Sequence, residues 1–299
     1  MDKTKFCIVG GDMRQLYLAE FLIKRGYTVS VCGIDKSRIS GVSLKNARAA
    51  VLPAESAIPG SHVLILPIPI SRDGFHISTP LAGSRVNYEI NDILDMADKN
   101  TVIAGGYVSD YMRSHIEERR MRVYDYNDSD AFQIRNSIST AEGALEIAMR
   151  ELPVTIRGTK AAVLGYGRCG RTLAGLLRSV GAEVTVCARS ESALAWAETE
   201  GCRACKLSEF ACIAGEFPIV FNTVPHPIIG REILSALMPE ALIIDIASLP
   251  GGIDTAAEIP DSLTVIYAGG LPGRTSPKSA GEIVGQSILD KLRSEGVIV

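Results

Sequence analysis

The sequence has no long uncharged apolar segment. Its longest candidate, residues 62–70, is short and is broken by Pro67 and Pro69, whereas a membrane-spanning helix needs about 20 apolar residues. The opening residues, MDKTKFCIVGG, lack the apolar core and the small-residue cleavage site of a signal peptide. We therefore expect a chain that neither spans a membrane nor enters the secretory route.

A strong excess of charge of one sign is also absent. The 31 Lys and Arg residues nearly balance the 34 Asp and Glu residues, which leaves a formal net charge of −3. Proteins that bind nucleic acids or anionic membranes usually carry a basic patch or stripe. The charge balance therefore gives no reason to expect nucleic acid or a membrane surface as a partner.

Metal-binding and disulfide patterns are weak. The seven cysteines are odd in number and scattered, and Cys7, Cys32 and Cys187 lie inside predicted strands, where reduced thiols serve as small core residues. Cys202 and Cys205 have C-x-x-C spacing, but no second pair and no histidine stands at the spacing of a zinc site. We therefore expect no metal site.

A strand, a glycine turn, a helix and a second strand follow one another within residues 158–190. This context is what the G-x-G-x-x-G fingerprint of dinucleotide-binding proteins requires. The first glycine permits the tight turn, the second leaves room for a pyrophosphate, and the third lets the helix pack close to the strand. The helix N-terminus offers free N–H groups to the phosphates. The residues assigned to this part of the cofactor site are Gly165, Gly167, Arg168, Cys169 and Gly170.

The end of the second strand favours NADP over NAD. An NAD site usually has Asp or Glu about 20 residues beyond the glycines, where it binds the ribose 2′-OH. This chain has Arg189 and Ser190 there, which can pair with a 2′-phosphate and donate a hydrogen bond to it. The alternative is that Arg189 is an ordinary exposed arginine, and NAD stays possible.

The loop after a later strand is also expected to face the cofactor, because ligands of such sheets lie beyond the carboxyl ends of the strands. It contributes Asn222, Thr223, Val224 and Pro225 to the predicted cofactor site.

The N-terminal half begins with the same strand–helix–strand pattern, but its turn departs from the fingerprint. After Gly10, Asp12 stands in the place of the second glycine and Gln15 in the place of the third. Asp12 is a good helix N-cap, but its carboxylate would repel a pyrophosphate. We expect this half to keep the architecture without binding a dinucleotide.

Strands and helices alternate along both halves, and 299 residues are enough for two domains. This pattern predicts an α/β protein with two Rossmann-like domains, each a parallel sheet with helices on both faces, and an interdomain cleft. The predicted division is a substrate domain at 1–128, a bridging helix at 129–152 and an NADP-binding domain at 153–299. A helix start is predicted at residues 139–142, which read S-T-A-E.

Several stretches together resemble a known family. They read IVGGDMRQLYLAEFL, NSISTAEGALEIAM, GYGRCGRTLA, NTVP, DIASLPGGID and GLPGRTSPKSAGEI. They are similar to the A subunit of dipicolinate synthase from spore-forming bacteria, over nearly the whole chain. Ser139 is one departure, because proline is expected there in this family.

The resemblance implies a sporulation enzyme on a branch of the lysine pathway. It implies oxidation of dihydrodipicolinate, formed from 4-hydroxy-tetrahydrodipicolinate, to dipicolinate, with NADP as the acceptor. It also implies that a flavoprotein-like B subunit is a partner, that the chain assembles into a homo- or hetero-oligomer, and that it is located in the cytoplasm of the mother cell. The reaction removes a hydride and a proton from the substrate. Because the ring that forms is aromatic, the reaction is driven forward and no strong catalytic base is needed.

Candidate substrate and proton-transfer residues follow from this chemistry. A substrate with two carboxylates needs cations or helix N-termini, for which the candidates are Arg14, Asn136, Ser137 and Thr140. His226 and Glu142 are the candidates for proton transfer. Each has an ordinary alternative: Arg14 and His226 as exposed residues, Ser137 and Thr140 as helix caps, and Glu142 as a capping residue.

Two other functions stay open. A weak set of acid–base residues also fits a non-catalytic NADP-binding protein that scaffolds or regulates a partner. A different two-domain NAD(P)-dependent dehydrogenase, of the hydroxyacid or alanine type, is the other alternative. Such enzymes need an Arg–His–carboxylate or Lys–His set, which the sequence does not assemble.

Overall fold

The computed structural model describes residues 4–35, 37, 49–83 and 86–298. The chain divides into two compact units. The first unit comprises Met1–Gln133 and Pro277–Val299, and the second comprises Ile134–Ser276. Among the described residues, no helix is both long and apolar enough to cross a membrane.

The first unit contains a six-stranded, fully parallel sheet with the order β3-β2-β1-β4-β5-β6. Its strands are β1 (Lys5–Val9), β2 (Thr28–Cys32), β3 (Ala49–Val51), β4 (Val63–Ile65), β5 (Val102–Gly105) and β6 (Arg122–Asp125). Its helices are α1 (Met13–Lys24), α2 (Ala54–Ala57), α3 (Ile90–Asp95) and α4 (Asp110–Glu118). The order is that of a doubly wound dinucleotide-binding fold.

A long helix, α5 (Asp130–Glu151), follows and continues into the second unit. The predicted helix start at residues 139–142 is wrong, because α5 begins nine residues earlier, where the Ser129 hydroxyl accepts a hydrogen bond from the Phe132 N–H at 3.3 Å. The Thr140 hydroxyl instead donates to the Asn136 carbonyl at 3.3 Å. Ser and Thr inside a helix commonly bond back to the preceding turn in this way.

The second unit repeats the same topology, with the order β9-β8-β7-β10-β11-β12 and all strands parallel. Its strands are β7 (Lys160–Leu164), β8 (Glu183–Ala188), β9 (Arg203–Lys206), β10 (Ile219–Asn222), β11 (Leu242–Asp245) and β12 (Thr264–Tyr267). Its helices are α6 (Arg168–Ser179), α7 (Glu191–Thr199), α8 (Phe210–Ile213), α9 (Arg231–Ala236) and α10 (Leu271–Thr275). The edge strands β3 and β9 were not predicted. The sequence of β9, RACK, is exposed or half-buried and lacks the apolar run that marks a buried strand.

Both faces of each sheet are covered, as the sequence predicts. Along β1, Phe6 and Ile8 belong to one apolar cluster while Cys7 belongs to another. Along β7, Val163 and Leu164 divide in the same way. Because neighbouring side chains of a strand point to opposite faces, each sheet has an apolar core on both sides. The predicted α/β class with two Rossmann-like parallel sheets is confirmed.

The last helix, α11 (Pro277–Ser294), belongs to the first unit, whereas the predicted division placed it in the second domain. It packs on α1, and Val284 and Ile288 join the apolar cluster of the first sheet. Gly281 and Gly285 allow the approach, because a Cβ at Gly285 would lie 2.6 Å from a ring carbon of Phe21 and one at Gly281 would overlap the Arg14 carbonyl oxygen. The close packing of α11 on α1 therefore requires glycine at both positions.

Candidate functional site

The strongest candidate site lies at the carboxyl ends of β7 and β10. These strands are neighbours in register, with Leu164 opposite Asn222, and the connections leave them in opposite directions along the sheet. Such a switch point leaves a crevice in which doubly wound proteins bind nucleotides. The glycine turn follows β7 and the loop 222–225 follows β10, so both predicted parts of the cofactor site border this position.

The three glycines of the turn have separate steric roles. Gly165 has a φ of +92°, and a Cβ there would lie 2.5 Å from Thr223 Oγ1 and 2.8 Å from a methyl carbon of Val224. A Cβ at Gly170 would overlap the carbonyl oxygen of Gly165. A Cβ at Gly167 would have no heavy atom within 4 Å. The first and third positions are thus closed to a side chain, and the second faces open space.

The N-terminus of α6 is uncapped. Its N-cap, Gly167, has no side chain to accept a hydrogen bond, and no acidic residue lies in the first turn. Arg168 is exposed and Cys169 is half-buried at the first two positions of the helix. Burial raises the pKa of the Cys169 thiol, which keeps it neutral. Among the described residues, neither a capping side chain nor an acidic residue of the first turn therefore competes for the positive end of this helix dipole, which is the arrangement that a phosphate site requires.

Thr223 joins the two loops of the site. Its N–H and its Oγ1 both donate to the Leu164 carbonyl at 2.9 Å. Next to it, the Val224 N–H donates to the Asn222 side-chain oxygen at 3.2 Å. Pro225 follows at the surface. The loop 222–225 is therefore held against the glycine turn by polar contacts as well as by packing.

The end of β8 carries the residues predicted to choose between NADP and NAD. Arg189 is exposed, and among the described residues no partner pairs with it. Ser190 is the N-cap of α7, and its hydroxyl oxygen accepts from the Ala193 N–H at 3.2 Å. The hydroxyl of Ser190 keeps its own proton for donation. Both groups are thus available at the place where a ribose 2′-phosphate would lie.

A cluster next to the glycine turn was not predicted. The Tyr166 hydroxyl donates to Glu200 at 2.5 Å, Arg171 pairs with the same carboxylate, and the Arg171 guanidinium lies 4.8 Å from the Trp196 ring centre. The Tyr166 hydroxyl and the Arg171 guanidinium hold the pKa of Glu200 below its usual value, while burial and Glu200 raise that of Tyr166. These contacts hold the Tyr166 side chain, and the turn it belongs to, against α7.

In the first unit, Arg14 is already paired. Its guanidinium forks the Asp12 carboxylate, with Nη2 to Oδ2 at 2.8 Å, and Nη2 also donates to the Ile68 carbonyl at 2.6 Å. The Asp12 carboxylate also caps α1 by accepting from the Arg14 N–H at 3.0 Å. Asp12 therefore occupies one edge of the Arg14 guanidinium, and a substrate carboxylate could not pair with that edge.

Gln15 fills the turn of the first unit. Its side chain is buried, and a Cβ at Gly11 would overlap its Cγ. The Asp12 carboxylate caps the start of α1, whereas the start of α6 has no side-chain cap. The turn of the first unit thus lacks the open space and the free N–H groups that the turn of the second unit has.

The remaining predicted residues lie on α5 and on the loop after β10. The Ser137 hydroxyl is buried, donates to the Ile134 carbonyl at 2.7 Å and lies 2.7 Å from Thr172 Oγ1. Thr140 is also buried, and Asn136 is half-buried. Glu142 and His226 are exposed. The Ser137 and Thr140 hydroxyls therefore have protein partners in α5 and α6, and the two proton-transfer candidates contact solvent.

The cysteines with suggestive spacing lie in or beside the second sheet. Cys187 and Cys205 are partners on adjacent strands, and Cys202 is buried. Within the described ranges of the chain, no group of three or more His, Cys, Asp or Glu side chains could hold a metal ion.

Two family models match the chain, one in each half. Residues 5–127 match the model described as the N-terminal domain of the A subunit of dipicolinate synthase. Residues 133–251 match the model described as D-isomer specific 2-hydroxyacid dehydrogenase, NAD binding domain. The second match covers the glycine turn, Arg189 and the loop 222–225, so a dehydrogenase-type NAD(P)-binding domain contains the candidate site.

Relatives resemble the chain over nearly its whole length. The A subunit of dipicolinate synthase of Bacillus subtilis (strain 168) is 30% identical over 97% of this chain and 96% of that protein. The crystal structure of the A subunit of dipicolinate synthase from Bacillus halodurans is 25% identical, with a TM-score of 0.87 over 97% of both chains. The crystal structure of the dipicolinate synthase A chain from Bacillus subtilis is 30% identical, with a TM-score of 0.84 over 99% of this chain and 97% of that chain.

Proposed function

The chain belongs to the family of dipicolinate synthase A subunits, and we propose that it oxidises dihydrodipicolinate to dipicolinate with NADP as the hydride acceptor. The observation that carries the proposal is the glycine turn of the second unit. At the switch point of this dehydrogenase-type domain, Gly167 faces open space and the N-terminus of α6 has no side-chain cap. A dinucleotide bound there supplies a nicotinamide ring that accepts hydride.

NADP, rather than NAD, is the proposed cofactor. Arg189 provides an exposed cation at the end of β8 that pairs with no carboxylate of the described part of the chain, and Ser190 provides a hydroxyl donor. A charge-assisted contact between guanidinium and phosphate adds about 1.5–3 kcal/mol. A carboxylate at this position would instead repel a 2′-phosphate and favour NAD.

The first unit is proposed to take no dinucleotide. Asp12 caps its helix start while paired with Arg14, and Gln15 fills its turn, so a phosphate would find neither a free N–H donor at that position nor space in the turn. The substrate-binding roles of Arg14, Asn136, Ser137 and Thr140 stay predictions, and so does the interdomain cleft. Arg14 would have to bind a carboxylate while it holds Asp12, which leaves it fewer donors than a free guanidinium.

Proton removal places a modest demand on the protein. The substrate loses a hydride and a proton, and the ring that forms is aromatic, so a weak base is enough. His226 and Glu142 are the proposed acceptors, and because both are exposed either can pass the proton to water. Two further proposals rest on the family resemblance alone. They are partnership with a flavoprotein-like B subunit and a location in the cytoplasm of the sporulating mother cell.

Turnover by the purified chain tests this function. The chain would be mixed with freshly generated dihydrodipicolinate and either NADP or NAD, and the absorbance of the reduced nucleotide would be followed. A parallel series would contain the B subunit of the same organism. We expect the absorbance of NADPH to grow. NADP binding without turnover in both series would favour the scaffold function, and turnover of 2-hydroxy acids or L-alanine instead would favour another dehydrogenase.

A further inference from the structure

The carboxylate of Asp245 joins two loops at the edge of the cofactor site. Asp245 is the last residue of β11 and is 2% exposed, and its neighbour in register is Asn222, the last residue of β10. Its Oδ1 accepts from Asn222 Nδ2 at 2.8 Å and from the Ala247 N–H at 3.1 Å, and its Oδ2 accepts from the Gly252 N–H at 2.7 Å. All three partners are N–H donors, so each contact uses a carboxylate oxygen of Asp245 as the acceptor.

Asn222 extends this anchor to the loop after β10. Its side chain is fully buried and contacts Val224 twice, with Nδ2 donating to the Val224 carbonyl at 3.1 Å and Oδ1 accepting from the Val224 N–H at 3.2 Å. The Val224 side chain in turn packs against the glycine turn at Gly165. A continuous chain of contacts therefore runs from Asp245 through Asn222 and Val224 to the turn.

The loop after β11 presses on the same amide group. A Cβ at Gly252 would overlap Asn222 Nδ2, so this loop can approach only because residue 252 is glycine. The Gly252 N–H is also one of the three donors to Asp245. The carboxylate thus fixes two strand-end loops, 222–225 and 246–252, relative to each other.

These loops lie on one side of the switch point. In a doubly wound sheet the pyrophosphate lies at the glycine turn and the adenosine ribose at the end of the second strand, which is β8 in this unit. The nicotinamide half then extends to the other side, toward β10 and β11. We propose that Asp245 is a positioning residue for the nicotinamide half of the dinucleotide, acting through Asn222 and Val224. The inference rests on the proposed function and adds a residue to its site.

The experiment compares a whole cofactor with half of one. Calorimetry would measure binding of NADP and of adenosine 2′,5′-bisphosphate, which carries the 2′-phosphate but no nicotinamide. Asp245→Asn keeps the size of the side chain but turns an amide NH₂ toward the Gly252 N–H. We expect the Kd of NADP to rise roughly tenfold, the loss from one charge-assisted contact. The Kd of adenosine 2′,5′-bisphosphate should stay unchanged.

A second variant guards against misfolding of the first. Gly252→Ala leaves the charge of Asp245 in place and pushes on Asn222 from the opposite loop, so the same split between the two ligands is expected. Asp254→Asn is the matched control, because Asp254 lies just beyond the loop and its carboxylate accepts from the Ala256 N–H at 2.9 Å rather than from a group of the anchor. It should bind both ligands as the unmodified chain does.

The outcomes separate three explanations. Unchanged NADP binding in both variants would overturn the proposal, and so would an equal loss of both ligands in folded variants, since that is a general structural effect. Loss of NADP affinity alone supports it. Failure of the proposed function would appear in the unmodified chain, which would then bind neither ligand.

Discussion

Replacing Gly165 by alanine tests whether the glycine turn forms the cofactor site in the way the structure describes. Gly165 has a φ of +92°, and the new Cβ would lie 2.5 Å from Thr223 Oγ1 and 2.8 Å from a methyl carbon of Val224. Neither neighbour can retreat easily, because Thr223 is bonded to the Leu164 carbonyl and Val224 is held by Asn222. The turn and the loop 222–225 must therefore move apart.

The expected cost has two parts. A left-handed conformation costs an L-residue about 1–2 kcal/mol, and forcing an extra carbon into a packed site costs about 1–3 kcal/mol. The substitution should therefore destabilise the second unit by about 2–5 kcal/mol. Because the displaced turn also presents the pyrophosphate site, NADP affinity should fall by more than roughly tenfold, which corresponds to about 1.4 kcal/mol.

Gly158→Ala is the matched control. Gly158 has a φ of +79°, but a Cβ there would have no heavy atom within 4 Å, and the residue precedes β7 at the end opposite to the glycine turn. This variant should show the conformational cost of about 1–2 kcal/mol with NADP binding intact. Thermal unfolding would give the loss of stability, and calorimetry at a temperature where both variants are folded would give the affinity. Normal NADP binding by Gly165→Ala, or equal losses in the two variants, would refute the steric argument.

Two further substitutions test the assigned charges. Arg189→Asp should weaken NADP binding about ten- to a hundredfold and leave NAD binding nearly unaffected, because it replaces a partner of the 2′-phosphate with a like charge. Equal effects on the affinity for both nucleotides in a binding titration would show that Arg189 is not part of the site. Arg14→Ala should raise the KM for dihydrodipicolinate without changing NADP affinity, and Lys24→Ala, at the far end of α1, is the control. A normal KM in steady-state kinetics would leave Arg14 with a structural role only, as the partner of Asp12 and of the Ile68 carbonyl.

The glycine turn could be predicted from sequence because each of its glycines answers a separate steric requirement. Gly165, Gly167 and Gly170 have the spacing that a tight turn, an open phosphate site and a close helix need, and the structure gives each that environment. The requirement is local, since all three lie within six residues. Local requirements of this kind are what a sequence pattern records most directly.

Other features depend on residues distant in the chain. Asp245 and Asn222 are 23 positions apart, and Tyr166 and Glu200 are 34 apart. No periodicity marks such pairs, and they become neighbours only when the strands and helices assemble. In the sequence Asp245 ends the apolar run LIID and opens the stretch DIASLPGGID, but neither pattern names Asn222 as its partner.

Two errors of interpretation have physical causes. The S-T-A-E pattern at residues 139–142 fits a helix start, but Ser and Thr hydroxyls can also bond to carbonyls of the preceding turn, as Thr140 does. The apolar stripe of α11 predicts a buried face without saying which sheet buries it. Gly281 and Gly285 decide that question through their fit against α1, which becomes visible only in three dimensions.

The central claim is that the second unit alone provides a dinucleotide site and that this site prefers NADP. Calorimetric titration of the purified chain with NADP, repeated with NAD, measures both parts at once. We expect one NADP per chain and a weaker affinity for NAD. Two sites per chain would contradict the roles given to Asp12 and Gln15 in the first unit, and tighter binding of NAD would contradict the role of Arg189.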